Sequence, residues 1–201
     1  SGSSYNSNGT SIVGTYGTLT IGADGSYKYV ADQAAADVLD QGDQVNDVFI
    51  YTLSDGTDTT TANITITVTG LNDDPTAVND SNEVNAEQTV TKATSGVGIL
   101  ENDSDVDGDD SPTVVRVSFS GTTVNPPAGS TYNSNGVSIT GTFGTLTIGA
   151  DGSYTYTADQ AAALSLSAGQ YGIDTFAYYT QDGNSPTPGE ANAQLAIKVW
   201  G

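Results

Sequence analysis

The chain has no cysteine, no methionine and no histidine, and only four basic residues among its 201. Without cysteine there is no disulfide framework, so the redox compartment cannot be read directly. Without histidine or cysteine the usual zinc ligand sets, the Ser-His-Asp triad and the thiolate nucleophile are excluded, and most hydrolase chemistry with them. No apolar run approaches the roughly 20 residues of a membrane-spanning helix. No signal peptide is visible, from which a mature product or an internal fragment is expected. Long runs of the helix formers Leu, Lys, Glu and Arg are also missing.

Gly, Ser, Thr, Asn and Asp are abundant instead, and apolar residues make up 36% of the chain. Thr and Tyr suit strands, and Gly, Asn and Asp suit turns. The composition therefore predicts an all-β protein of thin sandwiches. Acids outnumber bases 24 to 4, for a net charge of −20. Such a polyanion repels nucleic acid and anionic membranes and attracts cations. Solubility alone is the plainer explanation of acidity, but these acids are unevenly spread.

The chain repeats itself. Residues 3–25, SSYNSNGTSIVGTYGTLTIGADG, return as residues 130–152, STYNSNGVSITGTFGTLTIGADG. The offset of 127 runs without a gap from Ser3/Ser130 to Gly56/Gly183, with 35 identities in 54 pairs. Four extra residues then fall within NSPTPGEAN, and the copies realign at offset 131, Ala62 to Gly70 facing Ala193 to Gly201. On this reading residues 71–201 form one complete unit of about 131 residues. Residues 1–70 match only the later portion of a unit. A longer tandem array is expected, with the missing opening supplied upstream or by another chain. Otherwise the first unit keeps open sheet edges.

Thr18-Leu19-Thr20-Ile21 alternates with period two, Gly22-Ala23-Asp24-Gly25 is a turn, and Ser26 to Val30 returns. This hairpin recurs at residues 145–157. Val48 to Leu53 and Ile64 to Val68 read as further strands, and residues 31–39 as a short helical turn. Strands at this spacing predict tandem immunoglobulin-like or cadherin-like sandwiches. Tyr27 with Tyr29, and Tyr154 with Tyr156, share a strand face. Core packing is the ordinary reading of such pairs, and a sugar-stacking platform the alternative. Trp200 closes the last strand and reads as packing.

Glu101, Asp103, Asp105, Asp107, Asp109 and Asp110 place six carboxylates in ten residues, with Arg116 the only nearby base. Two unit charges about 5 Å apart repel by roughly 3 kcal/mol at an effective dielectric of 20. Folding such a loop calls for a neutralising hard cation. Ca2+ accepts six to eight oxygens in flexible geometry, whereas Mg2+ demands a tight octahedron. Asp103-x-Asp105-x-Asp107-Gly108-Asp109 matches the first half of a calcium loop. It is no full EF-hand, since Val114 stands where a bidentate Glu would fall. The remaining ligands would come from elsewhere, and a solvated acidic turn is the alternative. A second candidate is the junction Asn72-Asp73-Asp74-Pro75 with Asn79 and Asp80, approached from the first unit by Asp55. Linker composition is its plain reading.

GTYGTLTIGADGSYKYVADQAA and DVFIYTLSDGTDTTTANITITVTGLNDDP resemble the VCBS and cadherin-like tandem repeats of large bacterial surface adhesins. AVNDSNEV and GVGILENDSDVDGDD resemble the opening of the same repeats. The resemblance implies an Ig-like sandwich, calcium dependence, export to the cell surface and a part in adhesion or biofilm, as in the extender regions of RTX-type adhesins. It implies Asp103, Asp105, Asp107 and Asp109 as calcium ligands, with Asn72 and Asp73 as linker positions. Asp109 is followed by Asp-Ser-Pro, where the family moves straight into an apolar strand, and the RTX nonapeptide is absent.

The leading expectation is an extracellular structural extender that contacts neighbouring repeats, with no enzymatic activity, nucleic-acid binding or membrane insertion. A host or surface ligand would then be engaged elsewhere in the full-length protein. A filament or S-layer subunit assembled by strand exchange is the first alternative, and a carbohydrate-binding module the second. A glycosidase carboxylate dyad, or an isopeptide bond at Lys28, Lys92 or Lys198, is a weaker idea.

Overall fold

Short runs of Thr, Ile, Leu and Tyr punctuated by glycine turns form strands throughout the computed structural model. It describes residues 2–107, 111–183 and 188–201, the side chain of Ser95 excepted. The four-residue insertion of the second copy lies partly outside that range. Two compact units result: residues 2–72 with Val106 and Asp107, and residues 73–105 with 111–201. Each is described separately.

The first unit runs β1 (Thr10–Val13), β2 (Thr18–Ile21), β3 (Tyr27–Val30), a single helical turn α1 (Ala34–Asp37), β4 (Gln44–Ser54) and β5 (Thr59–Thr69). Strands β1, β2 and β3 form one antiparallel sheet, and β4 and β5 a two-stranded hairpin. The helical turn falls within the stretch expected to hold one.

The second unit repeats this order and adds to it. Its own opening supplies β6 (Asp80–Asn85), β7 (Thr89–Lys92), a 3-10 turn (Ser95–Val97), β8 (Thr113–Phe119) and β9 (Thr122–Val124). The repeated part follows as β10 (Val137–Thr140), β11 (Thr145–Ile148), β12 (Tyr154–Thr157), α2 (Ala161–Leu164), β13 (Tyr171–Gln181) and β14 (Glu190–Trp200). One sheet has the order β10-β11-β12-β7, the other β6-β14-β13-β8-β9. All neighbours are antiparallel except β6, which runs parallel to β14. The two sheets bury one shared core that includes Ile99, Val114, Val117, Leu146, Tyr156, Phe176, Tyr178 and Leu195. This is a cadherin-like β-sandwich. Tyr154 and Tyr156 are core residues, as the ordinary reading has it.

One buried carboxylate ties the two sheets of each unit together. On β13, Asp174 accepts the backbone N–H groups of Thr142, Phe143 and Gly144 at 2.8–3.2 Å. It also accepts the hydroxyl of Tyr156 on β12 at 2.6 Å. On β4, Asp47 does the same with Thr15, Tyr16, Gly17 and the Tyr29 hydroxyl. Gly14 and Gly141 allow the approach, because a Cβ on either would fall on the carboxylate. Four donors satisfy each charge, which makes its burial tolerable.

The copies differ in what covers them. Tyr27 is 50% exposed, while its equivalent Tyr154 is 3% exposed. Ile12 is 40% exposed, while Ile139 is 2% exposed. Fully burying such a side chain stabilises by about 1.5–3 kcal/mol, and the half-exposed side chains of the first unit forgo roughly half of that at each position.

Burial pulls the Asp47 carboxyl upward, but the Tyr29 hydroxyl and the three N–H groups outweigh it and hold the group below the usual Asp value. A lowered folded-state value contributes stability that is fully present above about pH 4 and lost as the pH falls through it. Asp47→Asn is expected to cost about 2–3 kcal/mol at neutral pH. The gap to the wild-type chain should close as the pH is lowered below 4. Urea unfolding of both chains across that range checks it.

Candidate metal centre

Two carboxylates and two backbone carbonyls gather at one end of β13, around the hydroxyl of Tyr178. Its strand alternates inward at Asp174, Phe176, Tyr178 and Thr180, which sends the ring through the core toward the segment before β6. There the hydroxyl lies 2.8 Å from the Val78 carbonyl, 3.0 Å from Asp80 Oδ2 and 3.3 Å from the Ile99 carbonyl. Asp103 presents both oxygens to it, at 3.2 and 3.3 Å. A phenol has one hydrogen to give, so these oxygen acceptors outnumber what Tyr178 can satisfy.

The acidic loop is held in place by backbone. Thr76 and Ser104 exchange N–H···O bonds at 2.7 and 3.0 Å, a two-residue antiparallel bridge. The Val78 N–H donates to Asp103 Oδ1 at 2.7 Å, and the Asn102 amide donates to the Asn79 carbonyl at 3.4 Å. The junction segment and the acidic loop, separate candidates in the sequence, thus run side by side. Asp80 of one meets Asp103 of the other.

Burial pushes Asp80 up, the Tyr178 hydroxyl pulls it down, and Asp103 and Glu101 push again, leaving it raised to about 6. Burial also raises Asp103, against the Val78 N–H and the Tyr178 hydroxyl. Tyr178 is itself pushed far above an ordinary phenol, first by burial and then by the two carboxylates. Each shift records negative charge held out of water with too little positive charge opposite it. The described ion pair at this end, Arg116 with Glu190 at 3.5 Å, is exposed.

The other candidates fall as follows. Asp105 is half-buried, with Oδ2 shielded from solvent. Asp107, grouped with the first unit, is 3% exposed. Asn72 is half-buried with its side-chain oxygen shielded, and Asp73 is exposed. Asp109 and its neighbour Asp110 lie outside the described residues. Asp55 accepts the N–H groups of Thr57 and Asp58, both at 2.8 Å, within its own exposed turn. The 11 residues of β5 separate that turn from Asn72, roughly 35 Å at strand rise. Within the first unit Asp55 is thus held in its own turn, at the far end of β5 from Asn72.

One acid that the sequence reading passed over as a ligand, Asp182, belongs to the same end, beside Asp74 of the junction. Asp182 is buried and accepts the Gly189 N–H at 2.7 Å, and a Cβ on Gly189 would meet both Asp182 and Asp74. The signal existed, because Asp182 is the repeat equivalent of Asp55. Tyr178 was legible only as a strand residue.

The donors present are carboxylate, carbonyl and hydroxyl oxygens. With no His or Cys in the chain, this set suits a hard, oxygen-seeking cation and no softer one. Among the described residues, no three acidic side chains converge closely enough to form a metal cage on their own. A cation here would draw on backbone carbonyls and water besides Asp80 and Asp103.

A β-sandwich repeat with an oxygen-rich end defines the class. Residues 72–200 match the bacterial cadherin-like domain, and the chain belongs to that family. It is 31% identical over 187 residues to the calcium-binding lectin RapA2 of Rhizobium johnstonii, covering 92% of this chain and 73% of RapA2. Among solved structures it is similar to the extracellular cadherin domains 1–5 of protocadherin gamma B2, at 15% identity and a TM-score of 0.46. The match covers 99% of this chain and 34% of that one. Mouse PcdhgC3 EC1-3 matches at 13% identity and a TM-score of 0.38, over 96% of this chain and 62% of that one.

Tyr178→Phe removes the only described hydroxyl placed between Asp80 and Asp103. It is expected to lower the stability of the metal-free protein by about 1–2 kcal/mol, measured by urea unfolding in chelator.

Proposed function

We infer that this chain is a calcium-stabilised structural repeat of a secreted bacterial surface adhesin, an extender that carries adhesive parts away from the cell. The observation that carries it is the Asp80–Asp103 pair around the Tyr178 hydroxyl, where oxygens are gathered and positive charge is scarce. Ca2+ held by Asp80 and Asp103, with Asp105 and the Val78 and Ile99 carbonyls within reach of the same end, would discharge the acidic loop. It would also fix the segment before β6 against the core. A relative that is a calcium-binding lectin supports the choice of ion. Among the described residues no helix is long and apolar enough to cross a membrane. The role is structural rather than catalytic.

A cation that binds only the folded protein stabilises it by mass action, about 2.7 kcal/mol at a hundred times its Kd. Thermal unfolding with Ca2+ is expected to give a higher Tm than with chelator. In a variant with Asp103, Asp105 and Asp107 changed to Asn, the two traces should coincide. Equal Tm values for the wild-type chain in both conditions would defeat the calcium reading.

A carbohydrate-binding role is the second reading, favoured by one cluster. The Tyr171 and Trp200 rings meet edge-on with centroids 5.2 Å apart, and the Lys198 ammonium sits 3.8 Å over the Trp200 ring. Tyr171 is more than half exposed. If this cluster reads sugar, Tyr171→Ala should erase a glycan-array signal given by the wild-type chain.

A further inference from the structure

The two units carry largely the same residues along a groove that only one of them fills. In the first unit Ile21, Tyr27, Tyr51, Leu53 and Ile64 line an open cavity of about 600 Å³ between its two sheets. The repeat equivalents in the second unit are Ile148, Tyr154, Tyr178, Thr180 and Leu195, and all five are buried. The difference arises from residues 80–124. Val84, Ile99, Val114 and Val117 join the same core as Ile148, Tyr154, Tyr178 and Leu195. The Asn82 amide donates to the Tyr154 hydroxyl at 3.1 Å.

The backbone says the same. In the second unit β12 pairs with β7, β13 with β8, and β14 with β6. Two further bonds close the end of the groove: the Ile99 N–H donates to the Gly152 carbonyl, and the Val114 N–H to the Ala150 carbonyl. The corresponding strands of the first unit are β3, β4 and β5. Among the described residues β3 pairs only with β2, and β4 and β5 only with each other. Their outer edges present unpaired main-chain groups beside an apolar slot, the arrangement that β-strand addition exploits.

We propose that the first unit is a strand acceptor whose occupant is a β-segment of the residue 80–124 type, carried by a repeat outside this 201-residue stretch. Such a segment brings an inward-facing Val or Ile at the positions of Val84, Ile99, Val114 and Val117, and edges in the register of β6, β7 and β8. The segment of this chain itself is committed to its own unit, where every one of those edges is already paired. A second copy could donate it only by opening an equal groove of its own. Two of these lining positions differ between the copies: Ile64 for Leu195 keeps the apolar character, and Leu53 for Thr180 makes the acceptor more apolar than the filled example. The proposal does not depend on the calcium reading, so the test is run both with Ca2+ and with chelator.

A separate polypeptide of residues 73–128 is titrated into the full chain and followed by calorimetry and amide hydrogen exchange. The expected result is a 1:1 complex that protects amides of β3, β4 and β5. Tyr27→Glu with Leu53→Glu, both at exposed positions, should weaken it at least tenfold. As a second measurement, residues 71–128 fused ahead of residue 1 should raise the lower melting transition by about 5 °C or more, since each kcal/mol moves a domain of this size by several degrees. The proposal fails if neither the polypeptide nor the fusion changes exchange at those edges, or if the double variant binds as well as the wild-type chain. It fails equally if the full chain alone forms a dimer in which the β3, β4 and β5 edges are protected, because the occupant would then be a second copy.

Discussion

The structure depends on one buried, fully hydrogen-bonded carboxylate that bridges the two sheets of each repeat. Asp174 and Asp47 each sit on the inner face of a long strand and bind three consecutive N–H groups from the loop of the opposite sheet, with a tyrosine hydroxyl closing the set. Side-chain packing alone sets the distance between sheets only loosely. A carboxylate with four directed donors fixes it, along with the register of one sheet over the other. The device is complete in both units, although among the described residues the first has five strands and the second nine. It is the part of the sandwich that does not wait for the rest.

The acids of this chain therefore do two different kinds of work. Asp47 is satisfied by donors and titrates below its ordinary range. Asp80 and Asp103 are half-buried beside each other with one shared phenol, and titrate above theirs. Burial acts on both kinds, and the number of N–H and O–H groups facing each carboxylate decides the sign. A net charge of −20 says nothing about this division, which appears only when each acid is set beside its donors.

The hairpins, the repeat and the one-turn helix were legible because their signals are local: alternation of period two, glycine turns and an unbroken offset of 127. The inward face of β13 was also open to reading. Asp174, Phe176 and Tyr178 fall two apart, and Phe176 must be core, so Asp174 points inward with it. The same holds for Asp47, Phe49 and Tyr51. The acidic loop was legible as charge density, but its meeting with Asp80 was not. That meeting needs Tyr178, some 75 residues from Asp103 and 98 from Asp80. Pairings over such separations leave no periodicity behind. The same limit hid Asp182 beside Asp74.

The parallel pairing of β6 with β14 has a mechanical meaning. These are the first and last strands of the second unit, and they lie side by side in register from Asp80 with Leu195 to Asn85 with Trp200. Tension drawn through the chain pulls the start of β6 one way and the end of β14 the other. In a parallel pair that force slides one strand along its neighbour, and it loads the ladder's hydrogen bonds together rather than one after another. A strand peeled from the end of an antiparallel hairpin yields bond by bond. A pull applied between the start of β6 and the end of β14 would meet that whole ladder at once.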